Sequence, residues 1–314
     1  MTPGYSALRN SSAWIDLSAR GRIRVTGDDR VRWLHAMASN DIEHLPEGGG
    51  CYTLFLNPQG RILADAIVLR FPGYLLVDVE PEARAALRSH LDRHIIADDV
   101  TLEDITGTTV EIAVEGPGAK PPVELPEAAY AHAGWNGRTI VRASATGMPG
   151  YRVIAPAAEV EDVIRGTGAA QASAEDARAV RIENGIPRFG EDFFDKHLAP
   201  EAQLPGAVHF SKGCYLGQEI VERVRSRGGV HRFLVRLAMD RELPPGARLT
   251  YQEKEVGEVT SSVLSPAAGR VLGFGYVRVA EIAAGAVLKA GQARVEITSL
   301  KPAGAALRPE NSGP

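Results

Sequence analysis

The N-terminal half of this chain repeats itself loosely, and that repetition restricts the fold more than any other feature. Arg22-Ile-Arg-Val-Thr-Gly27 is a short alternating strand that ends at a glycine and leads into a helical pattern from Asp28 to Met37. Val110-Glu-Ile-Ala-Val-Glu-Gly116 has the same strand-then-glycine form. Phe71-Pro-Gly-Tyr-Leu-Leu-Val77 precedes a helix starting near Pro81, and Met148-Pro-Gly-Tyr-Arg-Val-Ile154 precedes another starting near Pro156. Each of these starting prolines falls in a first helical turn, where no N–H is lost to it. Strands alternating with single helices at this interval predict two related α+β units.

Gly116 to Gly137, rich in Pro, Gly and Ala, reads as a long surface connection between the units, and Pro187 to His209 is a second stretch of low pattern. Beyond Arg232 the character changes. Short alternating runs at 232–237, 247–251, 255–263, 270–277, 286–288 and 293–299 are separated by Pro-Pro-Gly, Ala-Ala-Gly and Ala-Gly turns. Such spacing predicts a small antiparallel barrel or sandwich. The expected domains are 1–105 (with 185–231 packing back on it), 106–184 and 232–302, followed by a disordered tail at 303–314.

A length of 314 residues suits two or three domains. A net charge of −4 argues against a general nucleic-acid binder. No run approaches the roughly 18 apolar residues of a membrane span, and Met1 to Asn10 has neither the charged start nor the apolar core of a signal peptide. Two cysteines, far apart, supply no disulfide framework and no metal-ligand spacing. A reducing cytoplasm, and no metal site, are the expectations.

Three features carry chemistry. Lys212-Gly-Cys-Tyr-Leu-Gly-Gln-Glu219 leads into an amphipathic run to Arg225 that reads as a helix. A helix N-terminus and a neighbouring lysine both favour a thiolate at Cys214; a small buried cysteine in a glycine-rich turn is the competing reading. Ser173-Ala-Glu-Asp176 is an N-cap for a helix running to Asn184 and stopped by Gly185 and Pro187. Its last turn presents Glu183, a carboxylate at the negative end of the dipole, which calls for solvent or for a specific partner. Tyr52-Thr-Leu-Phe-Leu-Asn-Pro-Gln-Gly60 is a strand closed by a turn, and the strand after it holds Asp65 among Ile62, Leu63, Ala64, Ala66, Ile67 and Val68. An acid there faces either water or a cavity; in a cavity it is poised for ligand contact or proton transfer. Around the octapeptide, Lys212, Arg223, Arg225, Arg227 and Arg232 form a basic patch, read as solvated helix charge or as attraction for an anion.

At these residues the chain resembles the YgfZ family, relatives of the glycine cleavage T-protein. The octapeptide 212–219 is similar to that family's motif, and Tyr52 to Arg61 with Asp65 resembles the corresponding stretch of its mitochondrial iron–sulfur assembly branch. Arg181-Ile-Glu-Asn-Gly-Ile-Pro187 matches the segment before the octapeptide, and the likeness runs from about Leu17 to Lys301. The resemblance implies an α+β three-domain cloverleaf of the T-protein type, with two ferredoxin-like domains and a small C-terminal β-barrel. It also implies tetrahydrofolate, or a one-carbon derivative, as cofactor.

In that reading Glu183 accepts the N–H pair of the aminopyrimidine edge and Tyr52 lines the pocket. Lys212, Tyr215 and Arg223 complete the cofactor-binding set, the basic ones attracting the anionic tail. Asp65 matches the catalytic aspartate of the T-protein. The implied role is a folate-binding accessory protein that supports assembly or repair of iron–sulfur enzymes, with Cys214 and Asp65 as working residues. Iron–sulfur enzymes or assembly proteins are the implied partners, and the chain is expected to be a monomer. Two alternatives stand beside it: a folate-dependent aminomethyltransferase or demethylase using Asp65, and a folate-free module whose barrel and basic patch dock a partner.

Overall fold

The computed structural model describes residues 1–227, 229–278 and 285–300; the tail expected to be disordered, 303–314, lies outside them. Two sheets and a barrel account for the strands. The first sheet has the order β3-β4-β5-β2-β6, built from Gly50–Leu56, Ile62–Arg70, Leu75–Val79, Gly21–Thr26 and Thr101–Asp104. Helix α2, Arg30–Met37, follows β2, and α3, Pro81–Asp92, follows β5, as the sequence pattern predicts.

The second sheet repeats this order. Strands β8 (His132–Trp135), β9 (Arg138–Val141), β10 (Gly150–Pro156) and β7 (Thr109–Glu115) stand as β3, β4, β5 and β2 do in the first. β11, Ala170–Gln171, then takes the outer position of β6, but β1, Ala13–Asp16, is wedged between β7 and β11. The duplication read from sequence is therefore present, with one exchange. The first 16 residues, α1 (Pro3–Asn10) and β1, pack in the second unit, so a boundary at residue 105 omits them. Thr2 caps α1 and Pro3 begins it, a start signal that the sequence does carry.

The two units differ after their first strand. Where the first has α2, the second has the Pro- and Gly-rich stretch from Gly116, which lies inside the second unit and not between the two units as the sequence suggested. After β10 a short 3-10 turn leads into α4, Val160–Thr167. Helix α5, Ala174–Asn184, begins with the expected capping box of Ser173 and Asp176 and ends at Gly185.

The alternating runs beyond Arg232 form a closed six-stranded barrel, β12 (Arg232–Met239), β13 (Arg248–Tyr251), β14 (Lys254–Ser265), β15 (Arg270–Arg278), β16 (Val287–Ala290) and β17 (Ala293–Ser299). Closure removes the sheet edges that an open sandwich would expose. Its interior is lined by Val235, Leu237, Leu249, Val295 and Ile297. The segment between α5 and the barrel, with its short α6 at Ala199–Ala202, packs on the first unit: Phe189, Phe193, Ala207, Tyr215 and Val221 share a core with Ile23, Leu34 and Phe55.

The two sheets meet through a small apolar patch (Ile67, Leu69, Leu76 against Val141, Ala143, Ile154) and a buried set of charges. Asp78 of the first unit is paired with Arg20 at 2.7 Å and with Arg152 of the second at 2.8 Å. Arg152 also reaches Glu111 at 2.9 Å, and Glu111 faces the fully buried Arg22 at 3.4 Å. Charges removed from water at this depth hold only because each has a partner.

Candidate functional site

Asp65 lies near the middle of β4, one diagonal step from Tyr52 on β3, because Tyr52 pairs with Ile67. The Tyr52 hydroxyl donates to Asp65 Oδ2 at 2.7 Å. Only 8% of Asp65 is exposed, so it faces the interior and not the water that a one-sided sheet allows. Its Oδ1 is buried with no hydrogen-bond partner. Burial, and then the charge of Glu80, push its carboxyl up to about 6, while the Tyr52 hydroxyl and Arg20 act in the opposite direction.

Glu183, at the end of α5, has found specific partners. Its Oε1 accepts from Tyr5 Oη on α1 and from Ser265 Oγ on β14, each at 2.6 Å. Arg9 stands 3.6 Å from Oε2. The side chain is 3% exposed, and Oε2 makes no hydrogen bond. Three parts of the molecule converge here: the N-terminal helix, α5 and the barrel. No sequence pattern points to Tyr5, Arg9 or Ser265. Asp65 Oδ1 and Glu183 Oε2 are the only carboxylate oxygens among the described residues that are buried without a hydrogen bond.

The octapeptide is held differently from what its sequence suggests. It docks on the first unit, its Gly217 (φ +84°) so close to the Asn-Pro-Gln-Gly turn that a Cβ would meet the Asn57 carbonyl oxygen at 2.5 Å. Gly60 of that turn packs just as closely on Ile220. The two motifs singled out in the sequence therefore touch, and each glycine is required by the other segment.

Lys212 is 8% exposed, and its ammonium donates to the backbone carbonyls of His35, Ala38 and Asn40 at and beyond the end of α2. Burial lowers it to about 8. Its ammonium is turned to these carbonyls and towards Cys51, whose own ionisation is suppressed to about 12 by burial, and not to Cys214 as expected. With all three protons engaged it is a helix cap and not an anion ligand.

Tyr215 likewise packs in the first core with Lys212 5.2 Å over its ring, and burial raises its hydroxyl to about 12. Arg223 is an exposed helix residue paired to Glu219 at 2.6 Å on α7, Gln218–Arg227. Arg225 lies 4.4 Å over Phe210, and Arg232 pairs with Glu201. Lys212, Arg223, Arg225 and Arg232 of the basic patch are thus each taken up by local partners. Cys214 alone in the octapeptide's centre presents a reactive group to solvent, as an exposed free thiol.

Among the described residues no group of three or more His, Cys, Asp or Glu is placed to hold a metal ion, and no helix is long and apolar enough to cross a membrane. Sequence reading also missed the charges acting on Asp65, namely Arg20 and Glu80, and the buried pair Asp78 and Arg152. Their signal was the two-residue period of Arg20, Arg22 and Arg24 against that of Asp78 and Glu80, which puts each set on one face.

Comparison with known proteins matches two parts of the chain to family models: residues 3–124 to the GCVT N-terminal domain and residues 232–303 to the glycine cleavage T-protein C-terminal barrel domain. A putative chloroplastic transferase of Arabidopsis thaliana is 28% identical over 301 residues, which is 91% of this chain and 70% of that protein. An aminomethyltransferase of Rippkaea orientalis is 28% identical over 300 residues, 87% of this chain and 80% of its own. The fold is similar to that of the crystal structure of glycine cleavage system aminomethyltransferase T from Bartonella henselae, with a TM-score of 0.83 at 21% identity over 95% of this chain and 88% of that one.

Proposed function

We propose that this chain, which belongs to the glycine cleavage T-protein superfamily, binds a reduced folate and handles a proton in one-carbon transfer through Asp65. The observation that carries this reading is the pair of buried carboxylate oxygens, Asp65 Oδ1 and Glu183 Oε2, that lack hydrogen-bond partners. A buried acceptor left open costs free energy unless a ligand fills it. Folate fits this donor deficit, since its aminopyrimidine edge offers adjacent N–H donors and its reduced ring offers amines. When bound, folate supplies the nitrogen atoms that carry the one-carbon unit.

The protein's part is then specific. Glu183, its Oε1 fixed by Tyr5 and Ser265, turns Oε2 to a donor. Asp65, its Oδ2 fixed by Tyr52, takes or gives a proton at Oδ1. A carboxyl raised to about 6 exchanges protons readily near neutral pH, as an acid–base group needs. The curated relatives named as aminomethyltransferases support this class of reaction.

Calorimetry with tetrahydrofolate tests the reading. Wild type is expected to bind, Glu183→Ala to bind at least about tenfold more weakly, and Asp65→Asn to bind while losing turnover of an aminomethyl or methylamine donor. A flat titration with wild type would sink it and leave the partner-docking alternative.

A second reading, support of iron–sulfur enzymes within the YgfZ branch, draws on Cys214. The other side chains of Lys212–Leu216 are committed to packing, which leaves its thiol exposed in the loop ahead of α7. One cysteine does not hold a cluster, which takes about four ligands, so the role would be transient. Cys214→Ala in a deletion strain should lose that support; full activity of cluster enzymes would remove the reading.

A further inference from the structure

Glu80 is the residue before α3, where a side chain ordinarily caps the first N–H groups of the helix. It makes no such bond. Its carboxylate is instead held between two guanidiniums, Arg20 on one oxygen and Arg188 on the other at 2.8 Å. The antiparallel β4–β5 ladder ends with Ala66 paired to Val79, and one step further along the two chains Asp65 and Glu80 come opposite each other. Like charges in that cross-strand position repel, and here the pair is shielded from water, with Asp65 8% and the Glu80 side chain 13% exposed.

We propose that Glu80 is a positioning residue for Asp65: clamped by Arg20 and Arg188, its charge opposes ionisation of the Asp65 carboxyl and keeps a proton available on Oδ1. The inference rests on the reading of Asp65 as the proton-handling group and says what sets that property. The groups that face Asp65 are few. Tyr52 from β3 donates to Oδ2, Arg20 approaches from the turn before β2, and Tyr130 from the connection before β8 is near enough for its hydroxyl to feel the Asp65 charge. Asp78, the other acid of β5, is paired with both Arg20 and Arg152. Glu80 is the member of this set whose charge works against ionisation most strongly. Arg188, from the segment after α5, also holds Glu82, so the clamp ties Asp65 to the chain that leads from Glu183.

The test is the titration of the Asp65 carboxyl by 13C NMR in the folate-free protein, with the signal assigned through Asp65→Asn. Glu80→Gln, which keeps shape and hydrogen bonding, is expected to lower the Asp65 midpoint by about one pH unit, tenfold in acid dissociation constant. Arg188→Gln, which removes a neutralising partner of Glu80, is expected to raise it. The double variant should fall between the two single variants, because Arg188 also bears its own charge near Asp65. Loss of structure would move both single variants downward towards the ordinary aspartate value, so opposite signs separate the proposal from simple damage. A raised wild-type midpoint that Glu80→Gln leaves unmoved overturns this proposal alone. An ordinary midpoint in wild type overturns it together with the reading of Asp65 as a near-neutral proton carrier.

Discussion

The two α+β units share a strand order and differ in what that order holds. The first has a helix after its opening strand, a nine-residue β4 with Asp65 in it, and the octapeptide docked at the end of the helix. In the second the helix is replaced by an irregular connection, and β9, which stands where β4 does, is four residues long without an acid. Duplication thus supplied a second sheet as a support, and the side chains with chemical potential collected on the first. Glu183 shows how the support matters, because its partners come from α1 and the barrel, neither of which belongs to the first sheet.

The strongest way to break this comparison is to separate the units. Arg152 of the second bonds to Asp78 of the first and to Glu111 beside it, and it is 4% exposed. Arg152→Met leaves each carboxylate with one arginine fewer in a buried place, at an expected loss of about 3 kcal/mol. Urea unfolding followed by probes in each unit should show the two transitions drawing apart. Coincident transitions at unchanged midpoint would mean that the apolar patch alone joins the sheets.

Next in size is the difference between helix and connection. Lys212 closes the end of α2 from inside the core, whereas Arg142 pins the second unit's connection by bonding to the Leu125 and Pro126 carbonyls, partly at the surface. Lys212→Met strands buried carbonyls and should cost about 2 kcal/mol; Arg142→Met should cost about half of that, since water replaces the donor. Equal losses in thermal or urea unfolding would erase the distinction drawn between the two regions.

Asp65 yields a smaller change of opposite sign. Its carboxyl, near 6 when folded, sits above the value of about 3.9 for an exposed aspartate. Between those values the folded chain binds more protons than the unfolded one, so this group's contribution to stability falls as pH rises through the window. The cost is fully present above about pH 6. Asp65→Asn, which keeps an acceptor for Tyr52, is expected to gain about 1–2 kcal/mol at pH 8 and close to nothing at pH 4. A gain equal at both pH values would assign it to packing.

Much of this arrangement is legible in the sequence, and the reason lies in periodicity. Alternation with turn residues marked every barrel strand, and Asp65 stood out because one acid interrupted an apolar run. What was not legible depended on direction. Lys212 is two residues from Cys214 in sequence, but the loop turns its ammonium to α2 and towards Cys51. Arg22 in an alternating strand looks solvent-facing, yet a second sheet covers that face and buries it completely. Glu80 shares a two-residue period with Asp78 but sits before Pro81 like a helix start, and its place opposite Asp65 follows from a strand register that no local pattern specifies.

Arg223 bears on the last and smallest difference, whether the first unit's charge near the octapeptide serves a ligand or only the helix. Its partner Glu219 is one turn away on α7, and both side chains are more than half exposed. Such a pair is worth about 0.3–0.5 kcal/mol. Arg223→Ala is therefore expected to shift the unfolding midpoint barely beyond error. If α7 carries only solvated charge, the affinities for tetrahydrofolate with one and with several glutamates in the tail should each stay within about twofold of wild type, a change of about 0.4 kcal/mol. A selective loss for the longer tail would return Arg223 to the binding set and extend the first unit's site along α7; an equal loss for both would instead report a disturbed octapeptide.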